Sequence, residues 1–95
     1  MSVTMIITFT AKPEKLAAFT DIMHSVKATL PTVPGCTGVR VHQDTDDPSV
    51  FTLVETWVSE ERHREHIAGL VRDGVWDQVA SQLARDPESR YYVEL

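Results

Sequence analysis

From Val3 to Thr10 the chain alternates, with Val3, Met5, Ile7 and Phe9 on one face and Thr4, Ile6, Thr8 and Thr10 on the other. That period of two predicts a strand. The second face is mixed in character, as expected where a strand borders a cavity or an interface. After Pro13, which suits a first helical turn because its missing N–H costs nothing there, the period changes. Leu16, Phe19, Met23, Val26 and Leu30 recur at steps of three and four, the apolar stripe of an amphipathic helix that Pro31 ends. Pro34-Gly35 marks a turn. A second strand is predicted over residues 37–43, with Val39 and Val41 opposed to Arg40 and His42. The acidic run "DTDDPS" has turn chemistry. Residues 50–58 form a third strand, with Phe51, Leu53, Glu55 and Trp57 on one face and Val50, Thr52, Val54, Thr56 and Val58 on the other. Both faces are largely apolar, so this strand should be central and covered on both sides.

Ser59 is a natural N-cap, and Glu60 and Glu61 fall in the first turn, where the helix dipole favours anions. The helix that follows carries His63, His66, Ile67 and Leu70 on one side. Asp73-Gly74 interrupts it, and Trp76, Val79, Ala80 and Leu83 form a second short stripe. A last strand is expected over residues 90–95, with Tyr91, Val93 and Leu95 alternating against Tyr92 and Glu94. The order β-α-β-β-α-β, its second helix in two pieces, predicts an α+β fold of the ferredoxin-like kind with an antiparallel sheet.

The chain has 95 residues, 42% of them hydrophobic and 24% charged, which points to one domain spanning residues 1–95. So short a chain buries a modest core, and self-association is expected. A net charge of −5 with scattered Lys and Arg gives no electrostatic footprint for nucleic acid. Cys36 is the only cysteine, in keeping with a reducing, cytoplasmic setting. The amino terminus reads as a strand and not a signal peptide, and no apolar run reaches the ~20 residues of a membrane span.

Four short stretches resemble one known family in order and spacing: "KPEK" (12–15), "PGCTG" (34–38), "DDPSVF" (46–51) and "ETWVSEERHREH" (55–66). Together they resemble the antibiotic biosynthesis monooxygenase domain, of the dimeric α/β barrel superfamily. The resemblance implies a homodimer whose two sheets close into a barrel, with a pocket between sheet and helices in each protomer. It further implies cofactor-independent oxygenation of a small aromatic molecule, a quinol or anthrone, with O2. Trp57 and His66 match the family's strand tryptophan and helix histidine, and Glu55 its strand acid. The chain departs from relatives at Val33, where an acid is common, and near Gly74 and Val75, where quinol-oxidising relatives carry a second histidine. The haem-degrading branch uses an asparagine on the first strand, and this chain has no asparagine; haem is therefore the least expected ligand.

The chemistry of cofactor-free oxygenation calls for a base near neutrality, a dry apolar pocket and donors for a developing oxyanion. His66 and Trp57 are the candidate catalytic pair, and Arg40, His42, Glu55 and Phe51 the candidate substrate-binding residues. Each has a simpler reading beside it. Trp57 either stacks on a planar ring or packs the core, and His66 either takes a proton or bonds backbone at the pocket edge. Arg40 and His42 either line the pocket or face solvent or a partner. His63, between Arg62 and Arg64, is expected on the surface. Histidines at i, i+3 lack the i, i+4 spacing of zinc helices, so no metal site is expected, and no cofactor. Two other function classes stay open: a non-enzymatic ligand-binding protein, and an isomerase on the same fold.

Overall fold

A computed structural model describes residues 2–95. Strand β1 (Val3–Thr10) leads through a 3-10 turn at Pro13–Lys15 into helix α1 (Leu16–Thr29). A second 3-10 turn, Leu30–Thr32, closes α1 at Pro31. Then come β2 (Cys36–Gln43), β3 (Val50–Trp57), helix α2 (Glu60–Arg72), the short helix α3 (Val75–Ala80) and β4 (Glu88–Tyr92). The four strands form one antiparallel sheet in the order β2-β3-β1-β4, so β1 and β3 are central. This is the ferredoxin-like α+β arrangement that the hydrophobic periods predicted.

Helices cover one face only. Val3, Met5, Ile7 and Phe9 of β1 and Phe51, Leu53 and Trp57 of β3 point toward them and are buried with Phe19, Met23 and Leu30. Phe19 is the hub. Its ring meets Phe9 at 5.5 Å and Phe51 at 5.4 Å between centroids, distances at which tilted aromatic pairs attract. The opposite face, with Thr4, Ile6, Thr8, Thr52, Val54 and Thr56, is half-buried in the single chain.

Ser59 caps α2 as expected, its Oγ accepting from the Arg62 N–H at 3.2 Å. That fixes where α2 starts and therefore which residues face the sheet. The start of α2 lies close against the turn before β2. Gly35 has a φ of 92°, and a Cβ there would sit 2.7 Å from Arg62 Cβ, so only glycine fits. Gly74, with a φ of 79°, makes the left-handed break between α2 and α3.

The last strand differs from the expectation. It spans Glu88–Tyr92 and not 90–95, and Val93 and Leu95 are exposed. The reason is pairing. β4 lies beside β1 from Thr8↔Glu88 to Thr4↔Tyr92, so alternation beyond Tyr92 has no ladder to follow.

Candidate functional site

Between the inner face of the sheet and helices α1, α2 and α3 lies a cavity of about 820 Å³. Its walls are mostly apolar: Met5, Ile7 and Phe9 below, Ile22, Met23 and Val26 of α1 on one side, and Ile67, Leu70 and Trp76 on the other. One end is polar, and four side chains build it. Glu55 comes from β3, His63 and His66 from successive turns of α2, and Tyr91 from β4. They meet because Glu55 and Tyr91 both pair with Met5, on opposite sides of β1. The N-cap at Ser59 sets the phase of α2 so that its histidine face comes down on them.

Glu55 is only 6% exposed. Its Oε1 accepts from the Trp57 indole Nε1–H at 3.0 Å, and His63 Nε2 stands 3.8 Å from the same oxygen. On its other side, His63 Nδ1 is hydrogen-bonded to Tyr91 Oη at 2.6 Å. Trp57, His63 and Tyr91 stack edge to face, with centroids 5.2 Å apart for the first pair and 5.3 Å for the second. His66 lies over Trp57 at 5.5 Å, tilted by 33°. Arg64 covers the outside of the Tyr91 ring at 5.0 Å, in cation–π range.

Burial dominates the ionisation of this cluster. Desolvation pushes the Glu55 carboxyl up, against the lowering effect of the Trp57 hydrogen bond. It pulls His63 down to about 4, helped by the nearby His66 and Arg64. An ionised Glu55 at 3.8 Å would instead pull His63 up. Burial outweighs this, and the same burial raises the Glu55 carboxyl. His66 is also lowered, and the Tyr91 hydroxyl is raised, each chiefly by burial. Near pH 7 the site therefore holds two neutral imidazoles and a protonated phenol. Proton acceptors and a donor stand together in an apolar setting.

Several sequence expectations need correction here. His63 is not a surface residue; it is 5% exposed, because helical period and not the charge of its neighbours sets its direction. Arg62 and Arg64 fan outward while His63 enters a socket of Trp57, Glu55 and Tyr91. Arg40 and His42 do not reach this cavity. The β2–β3 register sets them opposite Val54 and Thr52 on the outer face, and both are exposed. Trp57 is fully buried at 0% exposure and stands behind Glu55 and the histidines, not on the cavity wall. Phe51 is on the inner face but packs on Phe19 and borders only a small groove between α1 and β2. Glu55 and His66 do line the cavity.

Tyr91 was missed as a site residue. Its alternation is that of any strand residue, and only the pairing of β4 with β1 brings it beside His63. At the far end of the cavity, beyond the last residue of β1, Gln82 Oε1 is buried without a hydrogen-bond partner. The Cys36 thiol is half-buried and raised by desolvation, which keeps it protonated and poorly nucleophilic. Among the described residues no three His, Cys, Asp or Glu side chains converge as a metal site. Nor is any helix among them long and apolar enough to cross a membrane.

A family model for antibiotic biosynthesis monooxygenase matches residues 2–69. The sequence matches no curated protein. Among solved structures, Rv0793 from Mycobacterium tuberculosis has a TM-score of 0.86 at 19% identity, over 100% of this chain and 96% of that one. A conserved protein from Methanosarcina mazei Go1 has 0.83 at 22%, over 97% and 91%. PA3566 from Pseudomonas aeruginosa has 0.80 at 22%, over 99% and 94%. At such identities the likeness is one of fold.

Proposed function

The chain belongs to the antibiotic biosynthesis monooxygenase family, and from that premise we propose that it is a cofactor-independent monooxygenase of small aromatic quinols or anthrones. The observation that carries the proposal is the large apolar cavity with neutral histidines at one end. Anthrone oxidation needs no external reductant. His66 takes a proton from the ring CH2, and the resulting anion passes one electron to O2. The two radicals join as a carbon–oxygen bond, and the peroxide anion takes the proton back from His66 to give a hydroperoxide. Loss of the second C–H proton breaks the O–O bond, so that one oxygen stays as the new carbonyl and the other leaves as water. The protein contributes a base that is neutral and ready at pH 7, an apolar cavity that favours electron transfer from a poorly solvated anion, and hydrogen-bond donors for the oxyanion.

In this reading Trp57 acts through Glu55, which its indole N–H holds in place, and does not stack on the substrate. The half-buried outer sheet face supports a homodimer, with Ile6 and Val54 at its centre and Arg40 and His42 toward the β2 edge. The dimer is tested by Val54→Arg. Sedimentation should report a dimer for the native chain and a monomer for the variant, with unchanged circular dichroism.

The function is tested by oxygen uptake with a panel of naphthoquinols and anthrones, with catalase present and autoxidation subtracted. Uptake should match substrate one to one, and ¹⁸O2 should label the product. His66→Ala should lower the rate by about 10²-fold, the usual worth of a general base. No uptake across the panel, with tight binding of the corresponding quinones, would make the protein a ligand-binding module instead.

A further inference from the structure

The reaction written above needs more than a base. A proton must reach the departing oxygen as the O–O bond breaks, and the oxyanion on the ring needs a donor. His66 cannot be at once the acceptor of a carbon-bound proton and the donor to oxygen. Tyr91, which no sequence motif singles out, has what the second task requires. Tyr91 lines the cavity, and its hydroxyl is held 2.6 Å from His63 Nδ1. The imidazole is in turn set between that hydroxyl and the carboxyl of Glu55, 3.8 Å from Nε2. The ring of Tyr91 is held by His63, edge to face at 5.3 Å, and by the Arg64 guanidinium at 5.0 Å.

The His63–Tyr91 hydrogen bond has two forms. With the imidazole proton on Nε2, Tyr91 donates to Nδ1. With that proton on Nδ1, His63 donates to Tyr91 Oη, and the phenolic hydrogen is free to turn into the cavity. A neutral histidine can take either form, and the switch changes Tyr91 from a closed donor into an open one.

We propose that Tyr91 is the proton and hydrogen-bond donor to substrate oxygen, with His63 and Glu55 as its positioning residues. This rests on the oxygenase reading for its substrate. In the balanced step, His66 removes the remaining C–H proton, and that electron pair becomes the second carbon–oxygen bond. The O–O bond breaks, and the departing hydroxide takes the phenolic proton from Tyr91 to leave as water. Tyr91, left as a phenolate that accepts the His63 Nδ1–H hydrogen bond, recovers its proton from His66 through water after product leaves. Burial, which raises the Tyr91 hydroxyl, keeps it protonated and able to donate.

Tyr91→Phe removes one oxygen and keeps the ring contacts, so the cavity is preserved. The first readout needs no turnover: the ionisation midpoint of bound 2-hydroxyanthraquinone, followed by the visible absorbance of its phenolate. If Tyr91 donates to the bound oxyanion, Tyr91→Phe raises that midpoint by about one pH unit, a tenfold change in ionisation. His63→Gln raises it by a smaller amount. The second readout is oxygen uptake, in which Tyr91→Phe lowers kcat by about 10²-fold with KM within about threefold. Equal midpoints and equal kcat in wild type and Tyr91→Phe would overturn the assignment while leaving the oxygenase reading intact. A shifted midpoint with no turnover in either protein would retain Tyr91 as an oxyanion donor and overturn the oxygenase. A wild-type protein that does not bind the probe at all would overturn both.

Discussion

On the inner face of the sheet Met5, Ile7, Phe9, Leu53 and Trp57 are buried, while on the outer face Thr4, Ile6, Thr8, Thr52 and Val54 stay half-exposed, although both sets alternate along the same two strands. Hydrophobicity alone does not sort them, for Ile6 and Val54 are as apolar as their inner neighbours. Nor does polarity, because Glu55 is buried among the inner set. What differs is the covering layer. Helices α1 to α3 close one face and leave the cavity, whereas the other offers threonines and β-branched residues to whatever lies beyond it. The pair Thr8–Thr52, bonded at 3.0 Å through their hydroxyls, shows how the outer face satisfies its polar atoms in place. Across the inner face the same need is met by a connected set of Trp57, Glu55, His63 and Tyr91. A carboxyl and an imidazole are expensive to bury, and here they stand at one end of a cavity.

The contrast can be broken hardest at Phe19, the inner-face hub with 0% exposure. Phe19→Ala should cost about 3–5 kcal/mol in urea unfolding, the usual range for a buried aromatic. In a domain this small such a loss nearly removes the fold. A cost below ~1 kcal/mol would mean that the core is not organised around this ring.

Acid comes next. His63 is held near 4 in the folded chain against 6.5 when free, so between those values the unfolded chain binds a proton that the folded chain refuses. Stability should therefore fall as pH drops from about 6.5 to about 4, by as much as ~3 kcal/mol, and level off below. Glu55, raised by burial, works in the opposite sense. Its folded form keeps a proton that the unfolded chain releases, so its cost grows as pH rises from 4.5 through its folded value and is absent in acid. Urea midpoints measured at pH 7.5 and pH 5 should show a drop in the wild type that is reduced in His63→Gln. An equal drop in the two proteins would place the acid sensitivity elsewhere.

The smallest effect is expected on the outer face. Arg40→Ala and His42→Ala should each change stability by less than about 0.5 kcal/mol, as exposed substitutions do. They should leave the affinity of the hydroxyanthraquinone probe unchanged. Loss of probe binding in either variant would mean that the outer face, and not the cavity, receives the aromatic ligand.

Much of this molecule was legible in the chain. Strand β1, helix α1, strand β3 and the Ser59 cap follow from periods of two and of three to four, and from side chains that bond their own neighbouring backbone. These are local interactions, written within a few residues of one another. The same locality explains the errors. The charge of Arg62 and Arg64 points His63 to the surface, yet its direction depends on the helix phase and on a socket built by residues from β3 and β4. Arg40 and His42 lie on the face of β2 that their alternation allows, but alternation does not say which face the helices cover. Tyr91 looked like any strand residue until β4 was set beside β1.

The sequence by itself determined the secondary elements, their order and the α+β class, because hydrophobic period and capping act through short-range geometry. It also pointed to Glu55, Trp57 and His66, through a pattern shared with a family. Only the tertiary structure decided that Trp57 stands behind the cavity, that His63 belongs to it, and that Tyr91 completes its polar end. Those facts depend on strand register and on the phase at which α2 packs on the sheet. Both are settled by contacts between residues as far apart in the chain as His63 and Tyr91.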